Sequence, residues 1–169
     1  AVLLADDFMT GEVLPTEALC RVYEESGSSV ISVSRVAEDE VSKYGIISTS
    51  EDGGNGLQKV AGIVEKPAQN EAPSNLASIG RYVFEPQIFE ILKNQKAGHG
   101  GEIQLADAIN TLATSGSVFA QCIQGARYDC GSKFGYLEAI VDTAMAHEEY
   151  SDRFRDLLMQ RMSLQEAVE

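Results

Sequence analysis

The string Val64-Glu65-Lys66-Pro67 sets a carboxylate beside an ammonium at the end of an apolar run, and a proline follows to stop the strand. Adjacent side chains on a strand point to opposite faces. If the strand ends just before Lys66, the turn can bring both polar heads to one edge. Glu65 could then accept hydrogen bonds from sugar hydroxyls while Lys66 holds a phosphate. An exposed salt pair at a strand edge is the alternative. Other predicted strand ends carry Asp6, Asp7, Arg127, Asp129 and Lys133. Two carboxylates from separate strands, Asp6 and Asp129, suit Mg²⁺, which usually takes one or two carboxylates plus waters and substrate phosphates. Asp6 and Asp7 could equally cap a turn. Lys66 and Lys133 can bind phosphate, and Gly131 lets backbone approach a ligand closely. Neither His99 nor His147 lies near a plausible nucleophile, and there is no P-loop. The residues alone describe a Mg-and-phosphate site on an α/β sheet.

The elements that must position these groups follow from hydrophobic period. Val2 to Ala5 is an apolar run of strand length that reads as a buried strand. Leu14, Ala18, Leu19, Val22 and Tyr23 fall at helical spacing through Ser26, and Gly27 suits the C-terminal cap. Val30 to Val36 is β-branched and alternates with serines, as a strand does. This strand–helix–strand unit favours a parallel sheet. Tyr44 to Ser50 and Leu57 to Val64 form a hairpin around the turn cluster Asp52 to Gly56. Its register brings Gly45 near Glu65. Asn75 to Phe84 is a further strand, Pro86 opens a helix through Lys93, and 96–101 is a glycine-rich loop. Glu102 is expected to cap the helix carrying Leu105, Ile109, Leu112 and Ala113. Ser117 to Ile123 is a strand. Phe134, Leu137, Ile140, Val141, Ala144 and Met145 then repeat at helical spacing. Ser151 opens a helix with Phe154, Leu157 and Leu158 inside, and Ser163 to Glu166 resembles a capping box for a last short helix.

The 169 residues correspond to about one domain. A formal net charge of −13 argues against nucleic acid and anionic membrane partners. It also leaves a phosphorylated substrate dependent on a divalent cation and a few local bases. Three cysteines without CxxC spacing and two histidines give no zinc-site pattern. A reducing cytoplasm is the expected location, and no signal peptide or membrane span is recognisable. Cys130 reads as a small buried hydrophobe. A buried parallel strand at the first residues calls for neighbours on both sides, so a missing N-terminal part is expected.

Several strings together resemble bacterial UTP–glucose-1-phosphate uridylyltransferases over nearly the whole chain. They are Leu3-Leu4-Ala5-Asp6-Asp7, Lys43-Tyr44-Gly45-Ile46, Val64-Glu65-Lys66-Pro67, Ser74-Asn75-Leu76-Ala77 and Gly80-Arg81-Tyr82. The run Gly100-Gly101-Glu102-Ile103-Gln104-Leu105-Ala106-Asp107-Ala108-Ile109 and the run Arg127-Tyr128-Asp129-Cys130-Gly131-Ser132-Lys133 point to the uridylyltransferase branch. The resemblance implies an α/β, Rossmann-like nucleotidyltransferase fold, in part, with a mixed β-sheet flanked by helices and a helical C-terminus. Residues 1–169 would be the C-terminal portion of a single domain, with the sheet and site in 1–133 and C-terminal helices in 134–169.

The resemblance also implies roles. Asp6 and Asp129 would ligate Mg²⁺, Lys66 would bind phosphate oxygens, and Glu65 would accept glucose hydroxyls. The backbones of Gly45 and Ser78 would face the sugar; the family often has Val where Ser78 stands. Asp7 would support the site from behind or face the ribose. UTP, glucose 1-phosphate, UDP-glucose and pyrophosphate would be the substrates and products, with a homo-oligomer (dimer or tetramer) as the assembly. The family's glycine-rich loop, which holds the base and triphosphate, has no counterpart here, so the chain alone is expected to be inactive. Another sugar-1-phosphate nucleotidyltransferase using dTTP or CTP is the nearest alternative. A non-catalytic assembly fragment, with helices from Phe134 to Met162 making subunit contacts, is a second. An isolated sugar-binding module is disfavoured by the scarcity of aromatic residues.

Overall fold

A computed structural model describes residues 1–54, 56–98, 101–116 and 118–166. Asn55 of the expected turn, His99 and Gly100 of the expected loop, and Ser117 lie outside the described residues. The chain divides into two units, Ala1–Ala5 with Met9–Ala126, and Asp6–Phe8 with Arg127–Glu169.

The first unit is built on a mixed six-stranded sheet. In chain order its strands are β1 (Val2–Leu3), β3 (Ser29–Arg35), β4 (Gly45–Gly54), β5 (Leu57–Glu65), β6 (Leu76–Val83) and β7 (Val118–Cys122), arranged β1-β6-β3-β7-β5-β4. Among the described residues of this sheet, only β3 and β7 pair in parallel. The expected strand–helix–strand unit is present, but β6 inserts between β1 and β3 and pairs antiparallel with both. β1 therefore sits at an edge, and Val2, Leu3 and Leu4 are exposed, which corrects the expectation of a buried parallel strand. A second pairing, Ile46 with Ala77, joins β4 back to β6 and curls the sheet.

Helices cover both faces. Helix α1 (Pro15–Ser26) has proline in its first turn and ends in Gly27 at φ 66°, whose N–H donates to the Tyr23 carbonyl. Its Leu19 packs with Val30 and Val83. Helices α2 (Gln87–Asn94) and α3 (Leu105–Thr114) close the other face, burying Ile88, Ile109 and Leu112 against Ile31, Val33, Ile47 and Val60. Helix α3 starts after Gln104, so Glu102 is not its cap; the Glu102 carbonyl instead accepts from Gly98 N–H at 2.8 Å. A third apolar cluster of Val41, Ile46 and Ala77 lies under the start of β4.

The second unit holds Asp7 and Phe8 of β2 (Asp7–Met9), which forms a two-stranded ribbon with β8 (Arg127–Asp129), then helices α4 (Lys133–Ala146) and α5 (Ser151–Glu166). The ribbon is not foreseen from sequence. Helix α4 buries its small residues Gly135 and Ala139 and leaves Phe134, Leu137, Ile140 and Val141 exposed. Leu157 of α5 is exposed too, contrary to expectation. No new helix starts at Ser163. Helix α5 runs through it, and the Ser163 hydroxyl donates back to the Gln160 carbonyl, a bond that continues a helix rather than caps one. No helix among the described residues is long and apolar enough to cross a membrane.

Candidate sugar-phosphate and metal sites

In the first unit the hairpin sets Gly45, the first residue of β4, opposite Glu65, the last of β5. The chain can place a carboxylate there because Gly45 has no side chain. A methyl on Gly45 would lie 3.0 Å from Glu65 Oε2 and 2.8 Å from Ile63 Cδ1. The Glu65 head thus rests over bare backbone. Extending the Ile46–Ala77 register by one residue sets Ser78 opposite Gly45. Ser78 is half-buried; its hydroxyl donates to Tyr82 Oη at 3.4 Å, and its backbone lies within β6 in register with Val33 of β3.

Strand β5 ends just before Lys66, as the local sequence predicts. Lys66 has φ 45°, the one positive value on a non-glycine among the described residues. For a residue with a Cβ this conformation costs roughly 1–2 kcal/mol. It persists because the flanks are fixed: Lys66 N–H donates to the Tyr44 carbonyl at 3.0 Å, and Pro67 is buried behind it. The Lys66 ammonium is exposed and has no ion-pair partner among the described residues. Among the described residues Lys66 thus forms no edge salt pair, and its ammonium is presented from a strained backbone next to the Glu65 carboxylate in sequence.

In the second unit Asp6 is exposed and precedes β2, and Asp129 closes β8. Cys130 N–H donates to the Asp6 carbonyl at 2.7 Å and ties the two segments together. A methyl placed on Gly131 would meet Asp129 Oδ1 and Asp6 Oδ2, each at 3.1 Å. The two carboxylates therefore converge on one point that only glycine leaves open. The Asp129 head is steadied by Gly131 N–H at 3.1 Å, and its carbonyl accepts from the Ser132 hydroxyl at 3.0 Å. Ser132 in turn caps α4 by accepting from Gly135 N–H at 2.9 Å. No group of three or more His, Cys, Asp or Glu is placed to hold a metal among the described residues. A two-carboxylate set with space between its oxygens fits a hard cation that keeps its waters, as Mg²⁺ does, and does not fit zinc.

The remaining charged candidates divide. Asp7 is buried and forms an ion pair with the Arg127 guanidinium, so this pair holds the ribbon together. The two residues are far apart in sequence, and no local pattern announces the pair. Lys133 is exposed at the first turn of α4. Tyr128, on β8, donates its hydroxyl to Asp142 Oδ2 at 2.9 Å. That bond, reinforced by burial and by the charges of Asp142 and Glu138, raises the phenol's pKa above its ordinary value.

The model of the nucleotidyl transferase family matches residues 1–146. The UTP–glucose-1-phosphate uridylyltransferase of Streptococcus pneumoniae serotype 4 is 47% identical over 163 residues, which is 94% of this chain and 54% of that protein. Among solved structures, UDP-glucose pyrophosphorylase complexed with UDP-glucose is 43% identical at a TM-score of 0.76, covering 81% of this chain and 52% of that one. The UTP-bound UGPase from Acinetobacter baumannii is 34% identical at a TM-score of 0.80, with 93% and 54% covered. The chain spans about half the length of the curated relatives it matches. The match over residues 1–146, together with the identity to these relatives, shows that the chain belongs to the nucleotidyl transferase family.

Proposed function

We propose that this chain serves a uridylyltransferase that makes UDP-glucose and pyrophosphate from UTP and glucose 1-phosphate. The observation that carries the reading is the Glu65–Lys66 corner, with its carboxylate over Gly45 and its unpaired ammonium on a left-handed backbone. Glu65 accepts hydroxyls of the glucose. The backbones of Gly45 and Ser78, opposite each other when the Ile46–Ala77 register is extended by one residue, would face the sugar. Lys66 holds phosphate oxygens and offsets their charge. Asp6 and Asp129 would hold Mg²⁺, which when bound supplies positive charge to the α-phosphate of the nucleotide.

The chemistry asks for no more than this. The phosphate oxygen of glucose 1-phosphate is already ionised near neutrality. It forms the new bond to the α-phosphorus in line, the bond from that phosphorus to the bridging oxygen breaks, and pyrophosphate leaves. Neither a protein nucleophile nor a general base is needed. Positioning and charge neutralisation remain as the protein's tasks.

The test is pyrophosphate release from UTP and glucose 1-phosphate by the enzyme carrying this sequence. Lys66→Ala and Asp129→Ala should each lower turnover by at least about 10²-fold, the scale for losing one transition-state charge partner. Near-normal turnover in either variant refutes its role. Release from dTTP or CTP at the UTP rate refutes the uridylyl assignment.

A further inference from the structure

Strand β5 carries the Glu65–Lys66 corner, yet it is supported unevenly along its length. Strand β4 accompanies it throughout, whereas β7 pairs with it only along Leu57, Gln58 and Lys59. Beyond that point, among the described residues, the side of β5 away from β4 has no strand neighbour. At Ile63 that side is met by a side chain from α3. Asn110 Oδ1 accepts from Ile63 N–H at 2.7 Å, and Asn110 Nδ2 donates to the Ile63 carbonyl at 2.8 Å. One side-chain amide thus meets the peptide groups of Ile63 as a neighbouring strand would. Gly62 leaves room for it, since a methyl there would lie 3.3 Å from Asn110 Oδ1.

We propose that Asn110 is a positioning residue for the Glu65–Lys66 corner. The proposal rests on the reading of that corner as the sugar-phosphate site. Its helix is anchored in the core: Ile109, just before Asn110, and Leu112, two residues after it, are each only 1% exposed. Its reach is short, because Ile63 lies two residues before Glu65, about 7 Å along a strand. Ile63 also forms the floor of the corner, with its Cδ1 2.8 Å from the place a Gly45 side chain would take. Fixing the Ile63 peptide therefore fixes both the strand end from which Lys66 turns and the surface on which the Glu65 head rests. Both halves of the amide are used. A carboxylate would lose the donor and an isosteric hydrocarbon would lose both bonds, leaving the Ile63 groups unpartnered.

The experiment compares the wild-type chain with Asn110→Leu and Asn110→Asp. The second variant keeps the shape and the acceptor should the first fail to fold. Residue-resolved amide hydrogen exchange reads the Lys66 N–H, which donates to Tyr44, against the amides of Val30 and Val33 in β3. Calorimetry reads UDP-glucose binding on the same samples. Exchange at Lys66 should quicken at least about tenfold relative to β3, and affinity for UDP-glucose should fall about tenfold, the equivalent of roughly one lost hydrogen bond. Unchanged exchange at Lys66 overturns the proposal. So does exchange that quickens equally in β3 and at Lys66, which marks a loss of overall stability only. If the wild-type chain takes up no UDP-glucose while exchange quickens selectively at Lys66, the positioning role stands and the sugar-phosphate reading fails.

Discussion

Replacing Gly131 with alanine separates binding from folding at the proposed metal site. The added methyl would lie 3.1 Å from Asp6 Oδ2 and 3.1 Å from Asp129 Oδ1, so both oxygens must give by a few tenths of an ångström. Mg²⁺ holds its oxygens near 2.0–2.1 Å in a near-ideal octahedron, and shifts of that size on two ligands at once spoil the geometry. Disturbing the groups that orient metal ligands ordinarily costs about 10- to 100-fold in metal affinity, and Gly131→Ala should fall in that range. Folding should not suffer. Gly131 is exposed and is not among the glycines at positive φ. Where the backbone tolerates it, Gly→Ala stabilises by about 0.4–1 kcal/mol through the unfolded chain. The assay is a titration with Mn²⁺ as the Mg²⁺ surrogate, followed by the paramagnetic resonance of the free ion, beside a thermal melt. Weakened Mn²⁺ binding with an unchanged or slightly raised Tm is the expected result. Wild-type affinity in Gly131→Ala would show that the cation is not held between Asp6 and Asp129.

The left-handed backbone of Lys66 gives a second prediction. Lys66→Gly relieves roughly 1 kcal/mol of strain and should melt no lower than wild type, yet it should lose UDP-glucose binding. Retained binding would show that the ammonium is dispensable. Tyr128 gives a prediction in pH. Its proton is bound more tightly in the folded chain than in the unfolded one, so the stability it contributes is fully present below pH 10.0 and is lost as pH rises through the elevated folded value. The wild-type chain should therefore lose more stability than Tyr128→Phe in denaturant melts taken above that pH, and parallel losses would remove Tyr128 as the cause.

How much of this was legible in the sequence depended on how local the signal was. The hairpin register that sets Gly45 against Glu65 follows from one turn between two apolar runs, and it was readable. So were α1 with its glycine cap and the helix after Pro86, because proline and glycine punctuate helices by their own stereochemistry. Burial of β1 was misread, since an apolar run does not say which strand will pair beside it; β6, contributed from far along the chain, decides that. The three-residue strands β2 and β8 are too short to show a period. The apolar repeat of α4 was legible as a helix, but its side was not, because the unit buries Gly135 and Ala139 instead. Serine at Ser163 fits both a cap and a helix interior, and only the bond to the Gln160 carbonyl distinguishes them. At the candidate site, the residue types of Glu65, Lys66, Asp6 and Asp129 suggest the chemistry proposed for them. The left-handed Lys66 and the Asp7–Arg127 pair come from tertiary context and leave no mark in the sequence.

The most direct measurement is calorimetric titration of this chain with UDP-glucose, with and without Mg²⁺, in the wild type and in Lys66→Ala. Binding should strengthen with Mg²⁺ and disappear in Lys66→Ala. Binding that survives the loss of Lys66, or no uptake of UDP-glucose at any Mg²⁺ concentration, would refute the sugar-phosphate site at Glu65 and Lys66.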